Sequence, residues 1–248
     1  MCTLRVFLKW AASIEAVPAD LYDKVMVPQV GRGGRQRDDM LDAETAQELL
    51  RYLEKYHFAS RRHIIVALLW ETGIRTGAAH SIDLADIHLD EGYIDLIHRP
   101  DQGTTLKNGK SGERPIAITE GLAELLGEYI ENTRKDKVDD AGREPLVTSK
   151  FGRLSRKSFR RIVYDTTAPC FQGKNCPDCF DSFDRKCPEA VGPHAVRRGS
   201  ITHFLTKDVP AEIVSDRMNV SRDVLDQHYD NRSEEVKLEQ RRVYLDNI

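Results

Sequence analysis

Four short segments carry residue types suited to phosphate chemistry. Thr72-Gly73-Ile74-Arg75 places an arginine just beyond the glycine that should stop a buried helix. Standing alone, that arginine reads as a surface cation near a helix C-terminus, where positive charge is favoured anyway. Gly192-Pro193-His194-Ala195-Val196-Arg197 sets an imidazole and a guanidinium three residues apart, on one helix face. Pro193 at the helix start leaves backbone N–H groups near His194 that favour an anion, although an ordinary first turn with a part-exposed histidine fits equally well. Lys107, with Lys110 as its competitor, lies in the polar stretch Asp101–Gly112, where a lysine is usually just solvent-exposed. Tyr229 closes the segment Val224–Tyr229, ahead of the polar break Asp230-Asn231-Arg232-Ser233. A tyrosine there commonly packs its ring and wets its hydroxyl. Cleaving a phosphodiester without metal or nucleotide needs a nucleophile, an acid for the leaving oxygen and fixed positive charge around the phosphorane. These four segments contain all three.

Two further clusters stand apart. Lys150, Arg153, Arg156, Lys157, Arg160 and Arg161 fall in one run with no acid between them, interleaved with Leu154, Phe159, Ile162 and Val163. The run is either a solvated helix face or a basic edge facing phosphates. Four of the five cysteines, Cys170, Cys176, Cys179 and Cys187, share one window. The pair Cys176 and Cys179 has the CxxC spacing of a zinc knuckle, so a structural zinc on the four sulfurs is one expectation. Unrelated thiols and a redox CxxC are the others. A metal at this place would stiffen the approach to His194 and take no part in catalysis.

The elements that must position these groups follow from periodicity. The 248 residues are 40% hydrophobic and 31% charged, enough for a packed core in one large domain or a domain plus a fragment. A net charge of −3 argues against binding a polyanion over the whole surface but leaves a local basic site open. The longest apolar run, Ile64–Trp70, is far short of the roughly 20 residues a membrane span needs. Arg5 and Lys9 interrupt any signal-like N-terminus, so a soluble, cytoplasmic protein is expected. Apolar spacing predicts helices over residues 4–14, from Asp42 through Leu53, and about 61–71. Others are predicted at about 120–134, 155–166, 193–206, 210–217, 222–229 and 233–245. Pro18, Pro28 and Gly31-Arg32-Gly33-Gly34-Arg35 mark a linker, and the stretches Tyr93–Ile97 and Arg114–Ile118 read as strands of a long-tipped hairpin.

The order Arg … Lys … His-x-x-Arg … Tyr resembles the tyrosine recombinase, or phage integrase, family. Thr72–Arg75 is similar to its first-arginine box, and Gly192–Arg198 to its His-x-x-Arg box. The resemblance spans about residues 41 to 235. It implies an α+β, mainly α fold: a helical catalytic domain with a small three-stranded antiparallel sheet. Residues 41–248 would form that domain, with a Cys-rich insert at about 170–187, and residues 1–40 would be the remnant of a core-binding domain plus linker. Ser215–Asn219 and His228–Asp230 are similar to archaeal members.

The resemblance also implies roles. Tyr229 would attack the phosphodiester, leaving a 3′-phosphotyrosyl bond; Tyr244, the other tyrosine downstream of His194, sits in the last helix and is a poor candidate. Arg75 and Arg197 would clamp the non-bridging oxygens, His194 would donate a hydrogen bond or shuttle a proton, and Lys107 (or Lys110) would protonate the leaving 5′-oxygen. Two positions depart from the family pattern. Ala78 stands where an acid usually follows the first arginine, and Asn219 or Val220 where a second His or Trp is usual. Asn219 could still donate one hydrogen bond to a phosphate oxygen. Arg153, Arg156, Lys157, Arg160 and Arg161 would meet DNA. The implied activity is site-specific recombination on double-stranded DNA without a catalytic cofactor, as a homo-oligomer, a tetramer in the family, with 233–248 a candidate exchanged segment. A weakly active DNA-binding remnant and a type IB topoisomerase-like enzyme are the alternatives.

Overall fold

A computed structural model describes residues 2–26, 39–174, 176, 187–207 and 209–228, with 235, 238, 239 and 242 beyond them. The chain divides into two units, 1–38 and 39–248. The first contains helix α1 (Cys2–Ser13) and the short α2 (Leu21–Lys24). Arg5 reaches Asp23 at 2.9 Å, and Ala11 is buried while Leu4, Phe7 and Trp10 remain exposed.

The second unit is built around one helix. Helix α3 (Ala43–Tyr56) starts at Asp42, whose carboxylate accepts from the Thr45 N–H at 2.9 Å, and α4 (Arg61–Thr72) starts at Ser60, which caps His63. Ile64, Ile65, Val66, Leu68, Leu69 and Trp70 are all buried, so α4 is apolar all round and serves as the core. Packed on it are α3, α6 (Glu120–Glu128), α7 (Arg156–Thr167) and α8 (Pro193–Thr206). Where α8 meets the chain entering α3, Gly199 is required: a Cβ there would lie 1.8 Å from the Leu41 carbonyl oxygen. Two further helices, α9 (Ala211–Met218) and α10 (Arg222–His228), make a smaller core with α8 from Ile201, Leu205, Val214, Met218, Val220 and Leu225. The helix expected over 233–245 lies almost wholly outside the described residues.

The expected α+β, mainly helical fold with its three-stranded sheet is present. Strands β1 (Ile87–His88), β2 (Tyr93–Leu96) and β3 (Arg114–Ala117) are antiparallel, with β2 central. Ile94 pairs with Ile116 and Leu96 with Arg114, which sends Ile94, Leu96 and Ile116 into the core and puts Arg114 on the same inward face. The tip between β2 and β3 is itself folded. His98 accepts from the Leu106 N–H at 3.0 Å and Leu106 is buried, so the segment carrying Lys107 is held rather than loose.

Three features were not foreseen. A six-residue helix, α5 (Thr76–Ser81), follows Arg75 directly. A second small hairpin pairs β4 (Thr148–Ser149) with β5 (Gly152–Arg153), and α6 runs on into a wider π turn over Tyr129–Thr133. A network of buried charge ties these parts together. Arg99 pairs with Asp86 at 2.5 Å, Arg143 with Asp83 at 3.2 Å and with Asp139 at 2.9 Å, and Arg153 with Asp83 and Asp139.

Candidate active site

Gly73 sets the geometry of the site. It ends α4 in the left-handed conformation at φ 59°, donating its N–H to the Leu69 carbonyl. A Cβ there would meet Met218 Sδ at 2.6 Å, so glycine also lets α9 approach. The carbonyls on both sides of that contact take up Arg197, whose Nη1 donates to Gly73 at 2.5 Å and Nη2 to Met218 at 2.8 Å. Arg197 is buried, and two elements far apart in sequence fix its fork.

Arg75 is the N-cap residue of α5, with extended backbone at φ −71°, ψ 147°. Its Nη1 donates to the backbone carbonyl of Asn219 at 2.9 Å. Asn219 ends α9 in the left-handed region (φ 49°), a conformation asparagine tolerates better than most, and its side-chain oxygen accepts from Asn108 Nδ2 at 3.0 Å. Asn219 thus supplies a polar group to the site, whereas Val220 belongs to the small apolar core and is buried.

These groups share one cleft of about 920 Å³, lined by Arg75, Lys107, Asn108, Arg114, His194, Arg197 and Asn219 among others. Lys110 lines neither this cleft nor the smaller one beside it. His194 sits in the first turn of α8, and its pKa is held below the usual imidazole value, first by burial and then by Arg197, Arg198, Lys107 and Arg75. Four cations acting on one ring means that segments far apart in sequence converge here. Tyr229 lies outside the described residues; α10, which ends at His228, runs up to it.

The neighbouring cavity, of about 290 Å³, is lined by Ala78, Thr105 and Gly112 together with Arg75, Lys107, Arg114 and Arg156. Arg114 escaped the sequence reading. Its Nε donates to the Arg217 carbonyl at 2.9 Å and its Nη1 to the Gly112 carbonyl at 2.8 Å. Burial, and then the nearby Arg75, pull its pKa down to about 10. The available signal was parity, since Arg114 stands two residues before core-facing Ile116 on the same strand face.

The basic run needs one correction. Arg153 does not join a DNA-facing edge: its guanidinium is mostly buried, paired with Asp83 and Asp139 and donating to the His80 carbonyl at 2.8 Å. It sits in the small hairpin before α7, where acids from two other loops neutralise it. Arg156 reaches Thr105 Oγ1 at 3.2 Å and lines the smaller cavity. Lys157, Arg160 and Arg161 are exposed on α7, with Arg161 beside Asp165 at 3.5 Å.

The zinc expectation gains no support. Cys176 is buried with its Sγ 3.4 Å from that of Cys187, Cys170 is exposed, and Cys179 lies outside the described residues. Among the described residues no three candidate ligands cluster. No helix among them is long and apolar enough to cross a membrane.

The phage integrase family model matches residues 39–235. The tyrosine recombinase XerD of Oceanobacillus iheyensis is 22% identical over 186 residues, covering 74% of this chain and 54% of that protein. XerC of Mycobacterium tuberculosis is 22% identical over 222 residues, covering 88% and 66%. The chain therefore spans between about half and two thirds of the length of the curated relatives it matches. With relatives from Oceanobacillus and Mycobacterium, the archaeal likeness read from Ser215–Asn219 is not supported. Among solved structures, the XerA recombinase superposes with a TM-score of 0.59 at 18% identity, covering 98% of this chain and 80% of that one. The Tn1549 transposon integrase in complex with a circular intermediate DNA gives 0.68 at 15% identity, covering 96% and 76%. A lambda integrase dimer bound to a core site gives 0.61 at 16%, covering 94% and 58%. At these identities the likeness is one of fold.

Proposed function

The chain belongs to the phage integrase family, and from that premise we propose that it is a site-specific DNA recombinase acting through a 3′-phosphotyrosyl intermediate. One observation carries the reading: Arg75, Lys107, His194, Arg197 and Asn219, drawn from separate segments, line a single open cleft. That cleft concentrates fixed positive charge, which a phosphorane with its developing charge requires.

The proposed reaction is a reversible transfer. The Tyr229 oxygen attacks phosphorus, the P–O5′ bond breaks, and the 3′ side stays joined to the enzyme. Tyrosine has an ordinary pKa of about 10, so neighbouring cations must favour its phenolate. His194, kept neutral by burial and by the cations around it, is able to accept the phenol proton. Lys107 gives a proton to the departing 5′-oxygen. Arg75 and Arg197 hold the non-bridging oxygens, a task that suits the planar fork of guanidinium better than ammonium. Rejoining runs the same steps backwards with a 5′-hydroxyl as nucleophile, so no net oxidant, metal or nucleotide is consumed.

The partner is double-stranded DNA. Lys157, Arg160 and Arg161 on α7 and Arg156 at its start are assigned to backbone phosphates, which give affinity and register without reading sequence. The Tn1549 and lambda integrases superpose in DNA complexes, which supports this assignment. Residues 41–248 are assigned to the catalytic domain and 1–40 to the end of a core-binding domain with its linker, supported by the division at 38/39 and a family match that begins at 39. A tetramer on paired sites is the proposed working assembly.

The test uses duplexes nicked near the cleavage point so that religation fails, drawn from DNA flanking the gene, and resolved on denaturing gels. Wild type should form a covalent adduct that Tyr229→Phe does not. An adduct retained in the Phe variant would move the nucleophile to Tyr244. Absence of any adduct with duplex binding intact would replace the reading with a binding-only one.

A further inference from the structure

We propose that Arg114 is a third guanidinium on the reacting phosphate, donating from Nη2 to a non-bridging oxygen. This inference rests on the reading of the cleft as a phosphodiester site.

Three observations carry it. First, the guanidinium is pinned with one nitrogen to spare: Nε and Nη1 are spent on the Arg217 and Gly112 carbonyls, while Nη2 has no hydrogen-bond partner among the described residues. Second, its charge is left standing. Both bonded partners are neutral carbonyls, and no carboxylate of the described residues lies within ion-pair distance. The Asp216 carboxylate favours its charge only from further off. Third, Arg114 lines both cavities, and so do Arg75, Lys107 and Asn219. The smaller cavity has no Asp or Glu in its lining, yet gathers Arg75, Lys107, Arg114 and Arg156.

A half-buried guanidinium beside another is costly to desolvate unless an anion completes it. The burial-driven fall in its pKa expresses that cost. A phosphodiester entering the cleft would restore the balance, because its two non-bridging oxygens accept from several donors at once. The carbonyl bonds also explain why the fork need not reorganise on binding. One strap leads to the tip carrying Lys107 and the other to the last turn of α9, beside Asn219, so the residue holds acid and clamp in register.

The experiment has two readouts on the full chain. In duplex binding, Arg114→Gln should lower the slope of log K against log salt by about 0.9, the share of one phosphate contact. Lys135→Gln, an exposed lysine outside both cavities, should leave the slope unchanged. In adduct formation, Arg114→Gln should slow cleavage by about 10²-fold, the usual loss for one oxyanion donor. The deciding comparison replaces one non-bridging oxygen of the reacting phosphate with methyl. If Arg114 meets that oxygen, the ratio of wild type to variant collapses towards one on one of the two diastereomers. A ratio that stays the same on both diastereomers overturns the proposal and leaves Arg114 as a strut between the tip and α9. Should the Gln variant not fold, Arg114→Lys, which keeps a charged donor, is used in the same comparison. If wild type forms no adduct, the recombinase reading fails first. The salt slope then decides alone: an unchanged slope overturns the phosphate contact, and a lowered one upholds it.

Discussion

Arg75 is oriented by the backbone carbonyl of Asn219, 144 residues away, at 2.9 Å. Near Arg75 itself the chain offers Ala78, which lines the small cavity and carries no charge. The bond runs to the residue that ends α9, so the packing of α9 near the end of α4 helps to direct the first arginine. Arg197 obeys the same logic, bridging Gly73 and Met218. Both arginines thus share contacts with the end of α9.

Because Asn219 holds a left-handed backbone, substitutions there should separate conformation from chemistry. Asn219→Gly keeps the carbonyl in place and should stay within about 1 kcal/mol of wild type, whereas Asn219→Val should lose about 2 kcal/mol. Urea unfolding measures both. Loss of the Asn108 contact should slow adduct formation in either variant, even where stability is retained.

The two hairpin lysines should behave differently. Lys107→Ala should slow cleavage by about 10²- to 10⁴-fold, the range for a general acid. Lys110→Ala should change it by less than threefold or so, since Lys110 lines neither cavity. A substrate with sulfur at the bridging 5′ position, which leaves without protonation, should rescue the first variant.

His194 should titrate below its ordinary value of about 6.5, because burial and four cations oppose its charge. The folded state then binds fewer protons than the unfolded one, so this residue's contribution to stability falls as pH drops through the unfolded value and levels off below the folded one. An NMR titration of the ring should move upwards in Arg75→Gln, which removes one repelling charge. It should rise further when duplex DNA fills the cleft.

The buried network predicts acid sensitivity. Asp83→Ala leaves Arg143 and Arg153 short of a buried partner and should cost about 3–5 kcal/mol. Burial raises the pKa of Asp139, but hydrogen bonds from Arg153 and the Arg143 backbone outweigh it, leaving a net depression. Its stabilisation is therefore full above the unfolded value near 3.9 and is lost as pH falls through the lower folded one. Denaturant midpoints for Asp139→Asn should fall less steeply than wild type across that acid range.

Much of this protein is local and therefore legible. Asp42 announces its helix through a cap one turn long, and Ile94 and Ile116 announce the sheet by alternation. Arg75 and the pair His194 and Arg197 were legible through their order along the chain and their likeness to the family's two boxes, whereas spacing alone left a surface cation and an ordinary first turn as at least equal readings. Arg153 and Arg114 were not legible. Both are basic residues near loops, yet one is neutralised by Asp83 and Asp139 and the other is strapped between two carbonyls at the cleft. That Asp83 meets Arg143 and Arg153 depends on how segments 60 and 70 residues apart pack, and no periodicity encodes that. The residue types and the chemistry they permit were settled by the sequence; tertiary packing alone decided which cations pair with carboxylates and which line the cleft, since partners depend on how distant elements meet and not on residue identity.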